Sequence, residues 1–325
     1  MRRIARSKLA AVGFAAIGIA APALAPAQAY PTHPIKLVVG FAPGGGVDIN
    51  ARLLAPKLGE ILGQPVVVEN KPGAGTNIAN EFVAKSPPDG HTLLINTSAV
   101  AINMSLYKRL GYDTLRDLTA VSLFSQSPNI LVVRANLPAQ NVNELIALAK
   151  AKPGALNYSS AGAGSTQHLS AELLKLRTST NIVHVPFKGT APSLTALIAG
   201  DVDMTFANIP AIFQHMKAGR IRPLASTGEK RALLMPDIPT LRESGINVSL
   251  NVWFGVLAPS ATPREIVNTL AAAVTKSAHS PDTRLRLTEQ GAEPLGSTPE
   301  VFDRLLRQEV TTWREVVEAA GATAD

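Results

Sequence analysis

Ile35-Lys-Leu-Val-Val-Gly-Phe-Ala-Pro-Gly-Gly-Gly-Val-Asp48 decides how this chain is read. The apolar, β-branched run Ile35–Val39 predicts a buried strand. Val47, Ala51, Leu54, Leu58 and Ile61 then fall on one stripe of a helix over 47–62, and Gly63 supplies its stop. Between them stands Gly44-Gly45-Gly46, more glycine than a strand–helix turn needs for positive φ alone. Such a turn brings backbone N–H groups and a helix start around one point. That arrangement suits an anion and requires no catalytic side chain.

Toward the N-terminus, Arg2, Arg3, Arg6 and Lys8 form a basic head before an apolar run from Leu9 to Ala25. Ala27-Gln28-Ala29 has the small-x-small pattern of a signal peptidase site, so residues 1–29 are expected to be a secretory signal peptide cleaved before Tyr30. A retained membrane anchor is the alternative; its apolar core would be short and contains Pro22 and Pro26. Cleavage would leave 296 of the 325 residues, enough for one large domain or two ordinary ones. Setting aside the four head charges lowers the formal net charge from +7 to +3. This mild excess, with no Lys/Arg cluster interleaved with aromatics, gives no case for nucleic acid. The absence of cysteine excludes a lipid-anchored cysteine, disulfides, thiolate nucleophiles and Cys-ligated metals.

Toward the C-terminus, short apolar runs alternate with amphipathic stretches. Strands are expected at 66–68, 92–95, 156–158, 182–185, 204–206 and 221–225. Helices are expected at 77–84, from 142 to about 151 behind the capping-box-like Asn141-Val-Asn-Glu144, up to about 176, at 191–199, after Asn208, and near 263–277 and 299–319. Repeated strand–loop–helix units predict an α/β fold with mixed, mostly parallel sheets, in which ligands sit beyond the C-terminal ends of strands. Four of those ends, 41–48, 96–98, 159–168 and 187–190, are rich in Gly, Ser, Thr and Asn. The apolar passages 121–133 and 252–259 could carry the chain between two lobes. They predict a discontinuous first lobe (30–125 and 255–325), an inserted second lobe (126–254) and a two-strand hinge able to close on a ligand.

Each candidate has a functional and a structural reading. Asp48 either meets a ligand ammonium or water or caps its helix, and Arg52, one turn on, offers a countercharge or pairs locally with Asp48. Ser165 is a good helix cap whose hydroxyl could also donate to an anion. A serine hydrolase would use Ser159, Ser160 or Ser165 with His168 as base, but G-x-S-x-G is absent. His33, His91, His168, His184, His215 and His279 show no compact metal-ligand spacing, so no metal is expected. Neither G-x-G-x-x-G nor a phosphate loop follows the first strand, and no cofactor is expected. Lys188 offers a cleft charge or a solvated loop side chain, and Trp253-Phe254 reads foremost as core.

Taken in order, these segments resemble the periplasmic solute receptors of tripartite tricarboxylate transporters, the Bordetella uptake gene family. The resemblance rests on Phe41-Ala-Pro-Gly-Gly-Gly with Asp48 and Ala51-Arg52, on Val68-Glu-Asn-Lys-Pro-Gly-Ala-Gly75, and on Ser160-Ala-Gly-Ala-Gly-Ser-Thr-Gln-His168. It continues through Val185-Pro-Phe-Lys-Gly-Thr-Ala-Pro192, Gly200-Asp-Val-Asp203, Arg222-Pro-Leu-Ala225, Pro236-Asp-Ile-Pro-Thr240 and Trp253-Phe-Gly-Val-Leu-Ala-Pro259. It implies a two-lobed periplasmic-binding-protein fold of the type II, double-crossover kind. It further implies a non-enzymatic receptor, acting as a monomer, that holds a small carboxylate through main-chain N–H groups and waters and delivers it to membrane permease subunits. The ligand would be a di- or tricarboxylate, an acidic amino acid or an aromatic acid. By position, Phe41, Ala42, Gly44, Gly45 and Asp48 match a first ligand loop, Ser160, Gly164, Ser165 and His168 a second, and Lys188 and Gly189 a third; Thr97, Ser98 and Asn208 join them as strand-end candidates. Phe187 stands where the family often has Tyr, and Met104 where Pro often follows Asn, so a relative's ligand does not transfer directly. A ligand-sensing subunit of a signalling system would use the same closed form.

Overall fold

Strand β1 (Ile35–Val39) is almost wholly buried and feeds helix α1 (Gly46–Leu62) through the triple-glycine turn. Gly45 is the N-cap of α1, and Gly63, at φ +76°, ends it by donating its N–H to the Gly59 carbonyl. The computed structural model describes residues 30–232 and 234–324, so the expected signal peptide lies outside the described residues.

The chain continues with β2 (Val66–Asn70), α2 (Asn77–Ala84), β3 (Thr92–Asn96), α3 (Ala99–Leu106) and a short α4 (Thr114–Asp117) before the long β4 (Leu118–Arg134). Then come α5 (Val142–Ala151), β5 (Asn157–Ser160), α6 (Thr166–Thr178), β6 (Val183–Pro186), α7 (Thr190–Ala199), β7 (Met204–Asn208), α8 (Ile209–Lys217) and β8 (Ile221–Ser226). The remainder is β9 (Asn251–Pro259), α9 (Arg264–Ala278), α10 (Pro281–Glu289), β10 (Glu293–Pro294) and α11 (Pro299–Ala320).

The strands form one mixed sheet in the order β2-β1-β3-β9-β4-β7-β5-β6, with β10 and β8 also paired to β4. β1 pairs parallel with β2 and β3, and β5 pairs parallel with β6 and β7; the joins through β9 and β4 are antiparallel. The first part of β4 runs against β9 as far as Pro128–Asn251, and from Asn129 onward β4 turns to β7 and β8. One strand therefore serves two sets of parallel strands. Register shifts at 120–122 and 123–125, and another at 131–132 against β8, give it added twist.

Apolar burial follows this division. Val38, Leu94, Val100, Leu257, Phe302 and Leu306 pack in one cluster; Leu131, Tyr158, Met204 and Phe206 in a second; Ile130, Leu194, Leu197 and Ile212 in a third. Helix α3 escapes a periodicity reading because every residue from Ala99 to Asn103 is buried, which leaves no polar face to set the rhythm. Helix α10 lies under a polar sequence in which just Thr283 and Leu287 are buried.

Candidate functional site

In each parallel unit the chain leaves every strand at the same end, so the loops after β1 and β3 open together, and so do those after β5, β6 and β7. The two sets border one small crevice, whose empty space of about 290 Å³ includes volume open to solvent. Its lining is Phe41, Gly45, Gly46 and Val47 from the turn into α1; Thr97 before α3; Ala161, Ser165, Thr166 and Gln167 from the turn into α6; Thr190 at the start of α7; and Asn208 at the start of α8. No charged side chain lines it. First-turn amides have no acceptor within their own helix, and each helix start carries a partial positive charge. Four helix beginnings on a crevice without a charged side chain are electrostatically suited to an anion. A larger hollow of about 1,180 Å³ borders 126–128 of β4, the 228–232 loop and α10, but no first turn of a helix lines it.

The loops meet so closely that glycine is required at the junctions. Ala42 donates its N–H to the Lys188 carbonyl at 3.2 Å, and a Cβ on Gly189 would lie 3.0 Å from Ala42. A Cβ on Gly75 would collide with the Ala163 carbonyl, and one on Gly46 with the Asn208 carboxamide. Gly75, between β2 and α2, and Ala163, between β5 and α6, come from different parallel units.

Asp48 holds the first loop from behind. Its carboxylate accepts from the Gly44 N–H at 2.9 Å, from Arg52 Nε at 3.0 and 3.1 Å, and from Asn70 Nδ2 at 3.0 Å. Asn70 also donates to the Phe41 carbonyl. Burial raises the carboxyl, but these bonds and the Arg52 charge outweigh it and hold Asp48 below the usual carboxylate range. The local Asp48–Arg52 pair is thus present, and Asp48 sits three residues inside its helix instead of at the cap.

The second loop is held by rings. Tyr158, His184 and His168 stack almost parallel, with centroids 4.7 Å apart for Tyr158–His184 and 4.2 Å for His184–His168. His168 Nδ1 accepts from the Gly164 N–H at 3.2 Å, and His184 Nε2 lies 2.7 Å from Ser160 Oγ. Ser160 Oγ in turn accepts from the Gly162 N–H. Burial pushes His168 down to about 4 and His184 down to about 3, so both rings are neutral at neutral pH. Ser165 caps α6 by accepting the His168 backbone N–H, so the bond joins Ser165 to the main chain of His168 and not to its ring. The Ser160–His184 pair has nucleophile–base spacing, but it is buried behind the loop, and a ring this depressed is a poor base near neutrality.

Thr97 is steadied by a carboxamide network. Asn96 accepts the Thr97 N–H and donates to Thr76 and Asn80, while Asn103 donates to the Gly75 carbonyl and to Asn77. This network holds Thr76 at φ +84°. Ser98 does not line the cavity; it lies near the Glu309 carboxyl of α11 and the indoles of Trp253 and Trp313, but neither its hydroxyl nor either indole N–H has a hydrogen-bond partner among the described residues. Burial pushes Glu309 up from its ordinary value by more than these neighbouring polar groups lower it.

Phe41, Gly45, Thr97, Ser165 and Asn208 thus line the cavity. Gly44, Asp48, Ser160, Gly164 and His168 stand behind it as supports, Ala42 and Gly189 form the loop junction, and Lys188 contributes its carbonyl there while its side chain is exposed. Gly46, Val47, Ala161, Thr166, Gln167 and Thr190 are additional lining residues. Each adjoins a residue singled out from sequence, and the helix-start positions after each cap were the available signal. At the opposite ends of β1 and β3, ligand atoms of His33, Asp89 and His91 lie within 4.8 Å of one another. Strand pairing assembles this group, which sequence spacing does not show. His91 Nε2 accepts from the Thr32 N–H, and its Nδ1 lies 3.4 Å from Asp89 Oδ1.

A mixed α/β sheet with strand-end loops closed on a small cavity defines a solute-binding protein of the periplasmic-binding-protein class. The chain belongs to the tripartite tricarboxylate transporter receptor family, whose model matches residues 50–322. Among solved structures it is similar to Rpa4515 of R. palustris with adipate, at 40% identity and TM-score 0.87 over 90% of this chain and 99% of that one. It is similar to the periplasmic binding protein BugD at 33% identity and TM-score 0.87, over 90% of this chain and 99% of that one. MatC of Rhodopseudomonas palustris with bound malate is similar at 33% identity and TM-score 0.85, over 89% of this chain and 100% of that one.

Proposed function

We propose that this chain is a periplasmic receptor that captures a small carboxylate with main-chain N–H groups at the starts of α1, α6, α7 and α8 and delivers it to the permease subunits of a tripartite transporter. The observation that carries this reading is the convergence of four helix beginnings on a cavity without a charged side chain. The relatives with adipate and with malate support a carboxylate as cargo.

The two sets of parallel strands act as two lobes in this reading, with β4 and the return through β9 as the hinge. The ligand touches both lobes in the closed form alone, and that difference in contacts is what shifts the equilibrium toward closure. The receptor works as a monomer. Native mass spectrometry of freshly purified protein identifies the retained acid, and calorimetric titration of the unfolded-and-refolded protein with di- and tricarboxylates, acidic amino acids and aromatic acids measures it. Failure of every acid to bind folded protein overturns the proposal. Small-angle scattering checks closure: a smaller radius of gyration with ligand is expected, and an unchanged radius at saturation removes the closure step. Co-purification with the permease from membranes tests delivery.

A further inference from the structure

Asn208 ends β7 and stands at the N-cap of α8, the position where a carboxamide ordinarily accepts a backbone N–H of the following turn. It makes no such bond. The residue is 5% exposed, lines the cavity, and its Oδ1 is buried without a partner.

The other polar side chains around it are differently placed. Gln167 accepts the Ala161 N–H and donates to Thr190 Oγ1. Ser165 and Thr97 each accept a main-chain N–H. The Asn208 carboxamide abuts α1 so closely that Gly46 has no room for a Cβ. The Oδ1 of this cavity-lining residue, which makes no cap bond to the helix it precedes, gains a bond when a donor arrives with the ligand. A bare carboxylate has no donor, whereas a hydroxyl or an ammonium does.

We infer that Asn208 reads a hydrogen-bond donor on the ligand, so that the site prefers carboxylates bearing a hydroxyl or ammonium group over unsubstituted acids of the same length. This inference rests on the carboxylate reading above and adds a rule of choice to it. The uncharged hydrogen-bonding lining satisfies the carboxylates through main-chain N–H groups, and Asn208 supplies an acceptor. A site that hydrogen-bonds a substituent rejects the analogue lacking it, because the buried acceptor is then left desolvated and unpaired.

The test is calorimetric titration of the purified chain, freed of retained ligand, with two matched series. One is succinate, malate and aspartate; the other is glutarate, 2-hydroxyglutarate and glutamate. In the series whose length fits, a substituted acid is expected to bind at least about tenfold more tightly than its unsubstituted parent. Asn208→Leu is expected to weaken the substituted acid at least about tenfold more than the parent, erasing the preference. Asn208→Ala, with thermal melts on both variants, covers a folding defect in the leucine variant. Equal or tighter binding of the unsubstituted parents by the native chain overturns the inference and leaves the carboxylate reading standing. Uniform weakening of all acids by folded Asn208 variants also overturns it. Binding of none of the six acids, nor of tricarboxylates and aromatic acids, overturns the carboxylate reading itself.

Discussion

The two principal loops of the site do the same task with opposite chemistry. The turn into α1 is braced by a charged set, Asp48 with Arg52 and Asn70. The turn into α6 is braced by a neutral ring stack, in which His168 and His184 receive or face the loop's own polar groups. A carboxylate brace works when ionised and an imidazole acceptor works when neutral. The pair therefore fails in different pH ranges, and this difference shows that a loop of small residues owes its shape to what stands behind it.

The largest expected effect comes from preventing the loop before α2 from meeting the turn into α6. Gly75→Ala adds a Cβ against the Ala163 carbonyl, so the units cannot approach. Carboxylate affinity should fall on the order of a hundredfold or more, read by calorimetry, while far-ultraviolet circular dichroism stays native. An unchanged affinity would mean that closure does not involve this junction.

Acid separates the two braces. Both imidazoles have folded values below their unfolded ones, so their contribution is complete above about pH 6.5 and is lost as pH falls toward their folded values near 4 and 3. The Asp48 contribution is complete above its unfolded value and is lost as pH falls through its lower folded one. Hydrogen exchange, corrected for intrinsic rates, should show 160–168 losing protection between about pH 6.5 and 4 while 41–48 holds. Loss in the reverse order breaks the comparison.

Removing the charged brace alone is a smaller perturbation. Asp48→Asn keeps the shape but loses the charge-assisted bonds to Arg52 and the Gly44 N–H. Stability should drop by about 1–2 kcal/mol, seen as a lower urea midpoint at unchanged slope. Smallest is Glu309→Gln. The Glu309 carboxyl is raised in the folded state, so the stability it contributes is complete below its unfolded value and is lost as pH rises through the folded one. The glutamine variant should be more stable than the native chain near neutrality by about 1 kcal/mol, and the gap should close in acid. Behind the Thr97 loop, then, the pH sense is the reverse of that behind the α6 loop.

What the sequence shows depends on range. The α1 stripe, the Gly63 stop, the Asn141 cap and the Ser165 cap are local, and each appears where the residues indicate. The family motifs indicate the loops that meet at the crevice but not which side of each loop faces it. Ser160, Gly164 and His168 lie within the same few residues as Ser165 and Gln167, yet the first three turn toward the ring stack. His184 joins Ser160 across a strand pair, and Glu309 comes near Ser98 from the far end of the chain. No short-range pattern encodes such pairings. β4 reads from sequence as an apolar crossing, but its exchange of partners at Pro128–Asn129 emerges from sheet registry alone.

The chain has two tryptophans, and both stand beside the Glu309 carboxyl that abuts Ser98, next to the cavity-lining Thr97. Essentially all indole emission therefore originates from one patch adjoining the binding crevice. Intrinsic fluorescence becomes a label-free optical gauge of that patch, able to follow capture in a stopped-flow instrument without a dye or a reporter enzyme.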